Sequence, residues 1–362
     1  MTDDSNSLID FVSSVSGDAH LKVEESFGDG FVRLRISEAE RRQAKHDIRS
    51  FEDLVVELLR NSRDAHARRI FIASSREGDV RTMTVVDDGV GVPPHLHDRI
   101  FEPRVTSKLE TMVTDTWGVH GRGMALFSIR ENVMSARVMA SDQHRGMALT
   151  IASDCGSLAE RADQSTWPVV EPDEDGRLKV ARGPHNIIRR VLEFACEHPE
   201  VSVYLGTPTE VLATLHTLGR STLASADLLF CDDVAKLPVW QRPAVAADAA
   251  ELVALAAAAG LTVSERTGHR VLAGELPPLP AVLAVAGGTH EPDAEKAEAV
   301  PDIYRDRRGL KIHPADLGEF KRELGRAFDV IAERYYLHLR SEPKVVVGRD
   351  EIRVRFTVEK ED

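Results

Sequence analysis

Glu57, Asn61 and Asp64 fall at i, i+4 and i+7 of a segment, residues 51 to 67, in which Leu54, Val55, Leu58 and Leu59 recur at helical spacing. A helix here turns its apolar residues to a core and gathers the three polar ones on another face. A carboxylate and an amide one turn apart suit a magnesium nucleotide. Magnesium keeps several waters, takes few protein ligands beside phosphate oxygens, and accepts one amide oxygen. The Glu57 carboxylate can then orient and deprotonate an attacking water. Taken alone, the helix is better explained as amphipathic with a solvated polar face.

Three further segments follow in order. Residues 80 to 86 are β-rich and end in Asp87, where a carboxylate can accept a hydrogen bond from an adenine amino group. Gly89 and Gly91 permit backbone conformations closed to other residues and let a ligand approach the main chain. An ordinary Asp-Gly turn would explain this segment by itself. Next comes Thr106-Ser107-Lys108, and then Gly118-Val119-His120-Gly121-Arg122-Gly123, which opens onto the apolar run Met124 to Ile129. A glycine-rich loop that opens a helix offers free N–H groups and a positive dipole end to an anion. The G-x-x-x-x-G-K-[ST] loop is missing, and the glycine spacing is not that of a dinucleotide fingerprint. Residues 109 to 120 are expected to close over the ligand as a lid.

Together these segments resemble the GHKL ATPase superfamily, which includes gyrase-type topoisomerase subunits, heat-shock chaperones, histidine kinases and MutL. Glu57-x-x-x-Asn61 looks like the N-box and Asp87-x-Gly89-x-Gly91 like the G1 box. Thr106-Ser107-Lys108 and Gly121 to Ile129 are similar to MutL segments, whereas Pro93-Pro94-x-x-x-x-Arg99-Ile-Phe-Glu-Pro103 looks more like a histidine-kinase F-box. The likeness covers roughly residues 45 to 150. It implies an α/β sandwich of the Bergerat type that binds ATP and magnesium. Asn61 would coordinate the metal, Glu57 would be the general base, and Asp87 would read adenine with Gly91 beside it. Asp64, Gly89 and Thr106 would belong to the nucleotide site, with Ser107 and Lys108 holding phosphates or the closed lid. Gly118, Gly121, Arg122, Gly123 and Met124 would line the phosphate chain. Two departures stand out. Met124 replaces the acidic residue of MutL, and the threonine expected near adenine on a later strand has no clean match. Asn186, in Gly183 to Ile188, is the substitute candidate.

Around these segments the spacing predicts a charged helix at 37 to 46 and strands at 69 to 74, 80 to 87, 136 to 141 and 147 to 152. A more helical stretch follows at 189 to 197, with helices on one face of a mixed sheet. The expected organisation is a loose terminus at 1 to 18, an ATP-binding domain at 19 to 204, and a second, transducer-like α/β domain at 205 to 362. In that last region the pattern predicts helices at 208 to 218, 244 to 259 and 316 to 340. Short strands are expected at 226 to 231 and 261 to 264, with a linker at 287 to 301 and a closing hairpin at 344 to 356.

The chain has 362 residues, 42% of them apolar, enough for two domains with cores. Its net charge of −13 counts against broad nucleic-acid binding, although a local basic groove stays open. No secretory signal or membrane span is visible, so a cytoplasmic protein is expected. Cys155, Cys196 and Cys231 have no metal spacing. The long region after the glycine loop favours an ATP-hydrolysing clamp that acts on a protein client, with a homodimer as one arrangement. The alternatives are a histidine-kinase-like or anti-sigma-type protein kinase and a nucleotide-gated interaction module.

Overall fold

A computed structural model describes residues 23–44, 46–107, 113–115, 118–120, 123–224, 231, 233–287, 314–347 and 352–360. The chain divides into two compact units, Met1–Thr289 and His290–Asp362.

The first unit begins with strands β1 (Val23–Gly28) and β2 (Phe31–Leu34), then helices α1 (Glu38–Ala44) and α2 (Phe51–Asp64). Strands β3 (Arg69–Glu77) and β4 (Val80–Asp87) follow, then β5 (Val105–Thr106), β6 (Val113–Asp115) and β7 (Gly118–His120). Helix α3 (Ala125–Asn132) leads to β8 (Ser135–Ser141), β9 (Met147–Asp154), β10 (Val169–Pro172) and β11 (Leu178–Arg182). Helix α4 (Ile187–Glu197), β12 (Ser202–Gly206) and helices α5 (Pro208–Thr222), α6 (Ala249–Ala258), α7 (Glu265–Leu272) and α8 (Val282–Gly287) complete the described part.

The central sheet is mixed, with strand order β12-β3-β4-β9-β8. Strand β12 runs parallel to β3, and the other neighbours are antiparallel. Alternation along β3 assigns its two faces, because successive side chains of a strand point to opposite sides. Ile70 and Ile72 enter one core with Leu54, Leu58, Val191 and Leu192 of α2 and α4. Phe71 and Ala73 enter another with Val211, Leu215, Trp240 and Leu252. Helices therefore cover both faces of the sheet, where the sequence pattern suggests one.

This second core also sets the organisation. Described apolar residues between Val211 and Leu279 pack against the sheet's reverse face, whereas Val282 of α8 joins the first core, and all of them lie within the first unit. The boundary between the two compact units falls between Thr289 and His290.

Several boundaries differ from the expected ones for local reasons. Helix α2 stops at Asp64 because His66 adopts a left-handed φ of 61°. Pro243 holds 239–245 in 3-10 turns, and Asp248 caps α6 by accepting from the Glu251 N–H, so that helix starts at Ala249. Residues 261 to 264 form no strand; Leu261 is buried and Ser264 caps α7. The acidic segment at 171 to 176 joins β10 and β11 as a hairpin. The expected features at 1–18, 226–230 and 288–301 lie outside the described residues.

In the second unit, helix α9 (Pro314–Tyr335) ends where Tyr336 turns left-handed, with φ 53°. Leu337 to Leu339, expected as helix, form β13, paired with β16 (Val358–Lys360). Strands β14 (Lys344–Val347) and β15 (Ile352–Arg355) make the expected hairpin, and Phe356 stacks on Phe328 of α9. No described helix is long and apolar enough to cross a membrane.

Candidate functional site

Helix α2 is fixed at its start by a capping box. The Asp53 N–H donates to Ser50 Oγ at 3.2 Å, and the Ser50 N–H donates to Asp53 Oδ2 at 3.1 Å. Phe51, Leu54, Val55 and Leu59 are buried, which leaves Glu57, Asn61 and Asp64 on the wall of a cleft of about 570 Å³. That volume is in the range of small-molecule and cofactor sites. Arg60 donates from Nη1 to Glu57 Oε1 at 2.6 Å, and the Arg63 guanidinium holds Asp64 Oδ1 at 2.8 Å. Both carboxylates are thus oriented by the same helix that carries them.

The deep end of the cleft is built by Asp87, which is 1% exposed. Its Oδ2 accepts from Ser62 Oγ at 3.0 Å, and its Oδ1 accepts from the Gly89 N–H at 2.9 Å. A carboxylate has about four lone-pair sites, so these two bonds are compatible with a further one from a ligand amino group. Gly91 lines the cleft with φ +68°, and a Cβ there would lie 2.0 Å from the Asp142 carbonyl oxygen. The close approach comes from the β8–β9 turn, whose Gly146 N–H donates to the Gly89 carbonyl. Gly89 is different: it does not line the cleft but packs on Ala65, with a built Cβ 2.7 Å from the Ala65 carbonyl oxygen. Its small size serves that contact and the hydrogen bond to Asp87.

At the open end, Thr106 and Ser107 line the cleft together with Gly123 and Met124. The Gly123 carbonyl accepts from the Arg104 N–H at 2.9 Å, which ties the glycine loop to the strand before Thr106. Met124 occupies the N-cap of α3 without a side-chain hydrogen bond, and Met124, Ala125 and Leu126 line the cleft at the start of that helix. Gly118 begins β7, the second strand of a short hairpin with β6 in the expected lid. Lys108, Gly121 and Arg122 lie outside the described residues.

Asn186 does not take the expected place near Asp87. It is fully buried as the N-cap of α4, accepts from the Arg189 N–H, and donates to the Thr166 carbonyl. Met147 stands opposite Asp87 in the β4–β9 register and lines the cleft. Spacing from the Gly146 turn could have pointed to it. Sequence reasoning also passed over Glu40, Arg60, Arg104 and Arg190 on the cleft wall, since none belongs to a short motif.

Among the described residues no cluster of three or more His, Cys, Asp or Glu could hold a metal. The Asn61 amide with the neighbouring Glu57 and Asp64 carboxylates fits magnesium that arrives with phosphates and brings most of its own ligands.

The sequence pattern of the family described as "Histidine kinase-, DNA gyrase B-, and HSP90-like ATPase" matches residues 46–154. The chain is also similar to the DNA mismatch repair protein MutL from two strains of Thermus thermophilus, with 31% identity to each over 165 residues. The similarity covers 42% of this chain and 28% of the length of either relative.

Proposed function

We propose that this chain, whose residues 46–154 form a domain of the histidine kinase-, DNA gyrase B- and HSP90-like ATPase family, binds ATP with magnesium in the cleft and hydrolyses it. The observation that carries the reading is the convergence of Glu57, Asn61, Asp87 and the start of α3 on one cleft. In this reading Asp87 accepts from the adenine amino group. Gly91 and Met147 flank the base. Asn61 is the magnesium ligand, and the N–H groups at Gly123 and Met124 meet the phosphate chain. Glu57, held by Arg60, takes a proton from the attacking water. Thr106, Ser107 and Lys108 assist at the phosphates.

Binding energy can drive a rearrangement only if ATP prefers one of two states. The glycine loop and the short β6–β7 hairpin are the segments we assign to closure over ATP. We further propose assembly as a homodimer and action on a protein client. The test is phosphate release from ATP with and without magnesium. We expect turnover that chelation abolishes and that Glu57→Ala loses while still binding ATP; full turnover in Glu57→Ala overturns the reading.

A second reading, transfer of the γ-phosphate to a separate protein, is favoured by the segment Arg99 to Pro103. Its first three residues, Arg99–Phe101, form a 3-10 turn with Ile100 and Phe101 buried, and Ile100 lines the cleft. Label from γ-phosphate on a partner protein, in place of free phosphate, would select it.

A further inference from the structure

Arg104 combines several features that no role given so far uses. Its backbone is left-handed, with φ 64°, a conformation that costs a non-glycine residue energy and tends to persist at functional sites. The strain is fixed from both sides: the Arg104 N–H donates to the Gly123 carbonyl and the Arg104 carbonyl accepts from the Leu34 N–H. The side chain is 7% exposed and lines the cleft between the glycine loop and Thr106. One guanidinium nitrogen, Nη2, donates to Glu40 Oε1 of α1, whereas the buried Nε–H has no acceptor. A buried donor without a partner is costly.

The charges around it sharpen the question. Glu40, Asp47, Asp53, Glu57, Asp64 and Asp87 put six carboxylates on the cleft wall. Of the guanidinium groups there, Arg60 is on Glu57 and Arg190 is on Glu193. A cation on this wall favours an entering polyphosphate, and Arg104 is placed beside Gly123 and Thr106 with donor capacity left. Glu40 is a ready competitor. It sits in a capping box with Ser37, accepting from the Ser37 N–H and Oγ–H, and its other oxygen takes Arg104. The Ser37 backbone N–H is the main cause that holds the Glu40 carboxyl below the ordinary carboxylate range, with Arg104 adding to it.

We propose that Arg104 is a phosphate-binding residue of this cleft and that the Glu40 carboxylate is its placeholder, exchanged for a phosphate oxygen when a nucleotide enters. The inference rests on the ATP-site reading and adds a residue and a competing anion to it. Exchange frees α1 from the cleft wall, so nucleotide entry is coupled to the segment before α2.

The experiment measures ATP affinity by calorimetry and adenosine affinity by NMR titration for wild type, Arg104→Gln, Arg104→Lys and Glu40→Gln, with folding checked by thermal melts. Glutamine at position 40 keeps an acceptor for the Ser37 cap, so that variant isolates the pairing with Arg104. Arg104→Gln should weaken ATP about ten- to hundredfold, the range for a lost charge-assisted hydrogen bond. Arg104→Lys should fall between it and wild type, since an ammonium keeps the charge but not the fork. Glu40→Gln should tighten ATP by a few-fold. Adenosine affinity should be unchanged in all three. ATP affinity in Glu40→Gln or Arg104→Gln within twofold of wild type overturns the inference, as does an equal change for adenosine, while leaving the ATP site intact. Failure of the wild type to bind ATP overturns the ATP-site reading itself and this inference with it.

Discussion

The two faces of the central sheet are built by the same rules and differ in what their polar groups do. On the reverse face, α5 opens with a capping box between Thr207 and Glu210, as α2 does with Ser50 and Asp53 on the cleft face. Both helices pack apolar residues on alternate side chains of β3. On the reverse face the buried Thr214 hydroxyl donates to the Glu210 carbonyl and accepts from the Leu279 N–H, so it joins protein to protein. On the cleft face Glu57, Asn61 and Asp64 line a cavity, and Arg104 keeps a strained backbone and a donor without an acceptor. An unpartnered buried atom does not by itself separate the faces, since His216 Nε2 of α5 has none either; a strained, cleft-lining cation does, and it marks the surface arranged for a ligand.

Substitutions can break this contrast. The largest expected effect is Glu57→Ala, which removes the general base and should lower ATP turnover by about 10²- to 10⁴-fold, measured where the protein is folded. Leu252→Ala on the reverse face empties a fully buried position and should cost about 2–5 kcal/mol of unfolding free energy by denaturant titration. Its ATP affinity, measured where the protein is folded, should stay at the wild-type value. A changed affinity would show that the reverse face takes part in the site.

Smaller changes sharpen the comparison. Ser50→Ala and Thr207→Ala each remove an N-cap and should each cost about 1 kcal/mol. Only Ser50→Ala should also alter turnover, because only its helix carries Glu57 and Asn61.

The smallest effect is one of pH. Asp163 lies in the loop that joins β9 to the elements before α4, and hydrogen bonds from Thr166 and Ser165 lower its carboxyl to about 2. A carboxyl lowered on folding stabilises the protein above its unfolded value, near 4, and that contribution is lost as the pH falls toward 2. The melting-temperature gap between wild type and Asp163→Ala should therefore be present at pH 6 and shrink between pH 4 and pH 2. A gap that widens in acid would contradict the assignment.

Much of the cleft face is legible in the sequence because its signals are local. The spacing of Leu54, Leu58, Glu57 and Asn61 fixes the helix and its faces, and the β-rich run before Asp87 fixes the strand. The reverse face is less legible. The helices after Pro208 read as a separate domain because nothing in their pattern says that their partners are Phe71 and Val86, far away in sequence. Asn186 reads as a ligand group in the sequence because buried amides and N-caps share one residue type, and only the Thr166 and Arg189 partners decide between them. Arg104 and Met147 are not legible in the sequence for a related reason. Each acquires its place through pairing between distant strands or loops and belongs to no short motif.

The most direct test of the central claim is calorimetric titration of the wild-type protein with ATP and with GTP, each with and without magnesium. We expect one ATP site per chain, tightened by magnesium, with GTP at least tenfold weaker because its base offers no amino group in the position Asp87 faces. Equal affinity for the two nucleotides, or ATP binding indifferent to magnesium, would contradict it.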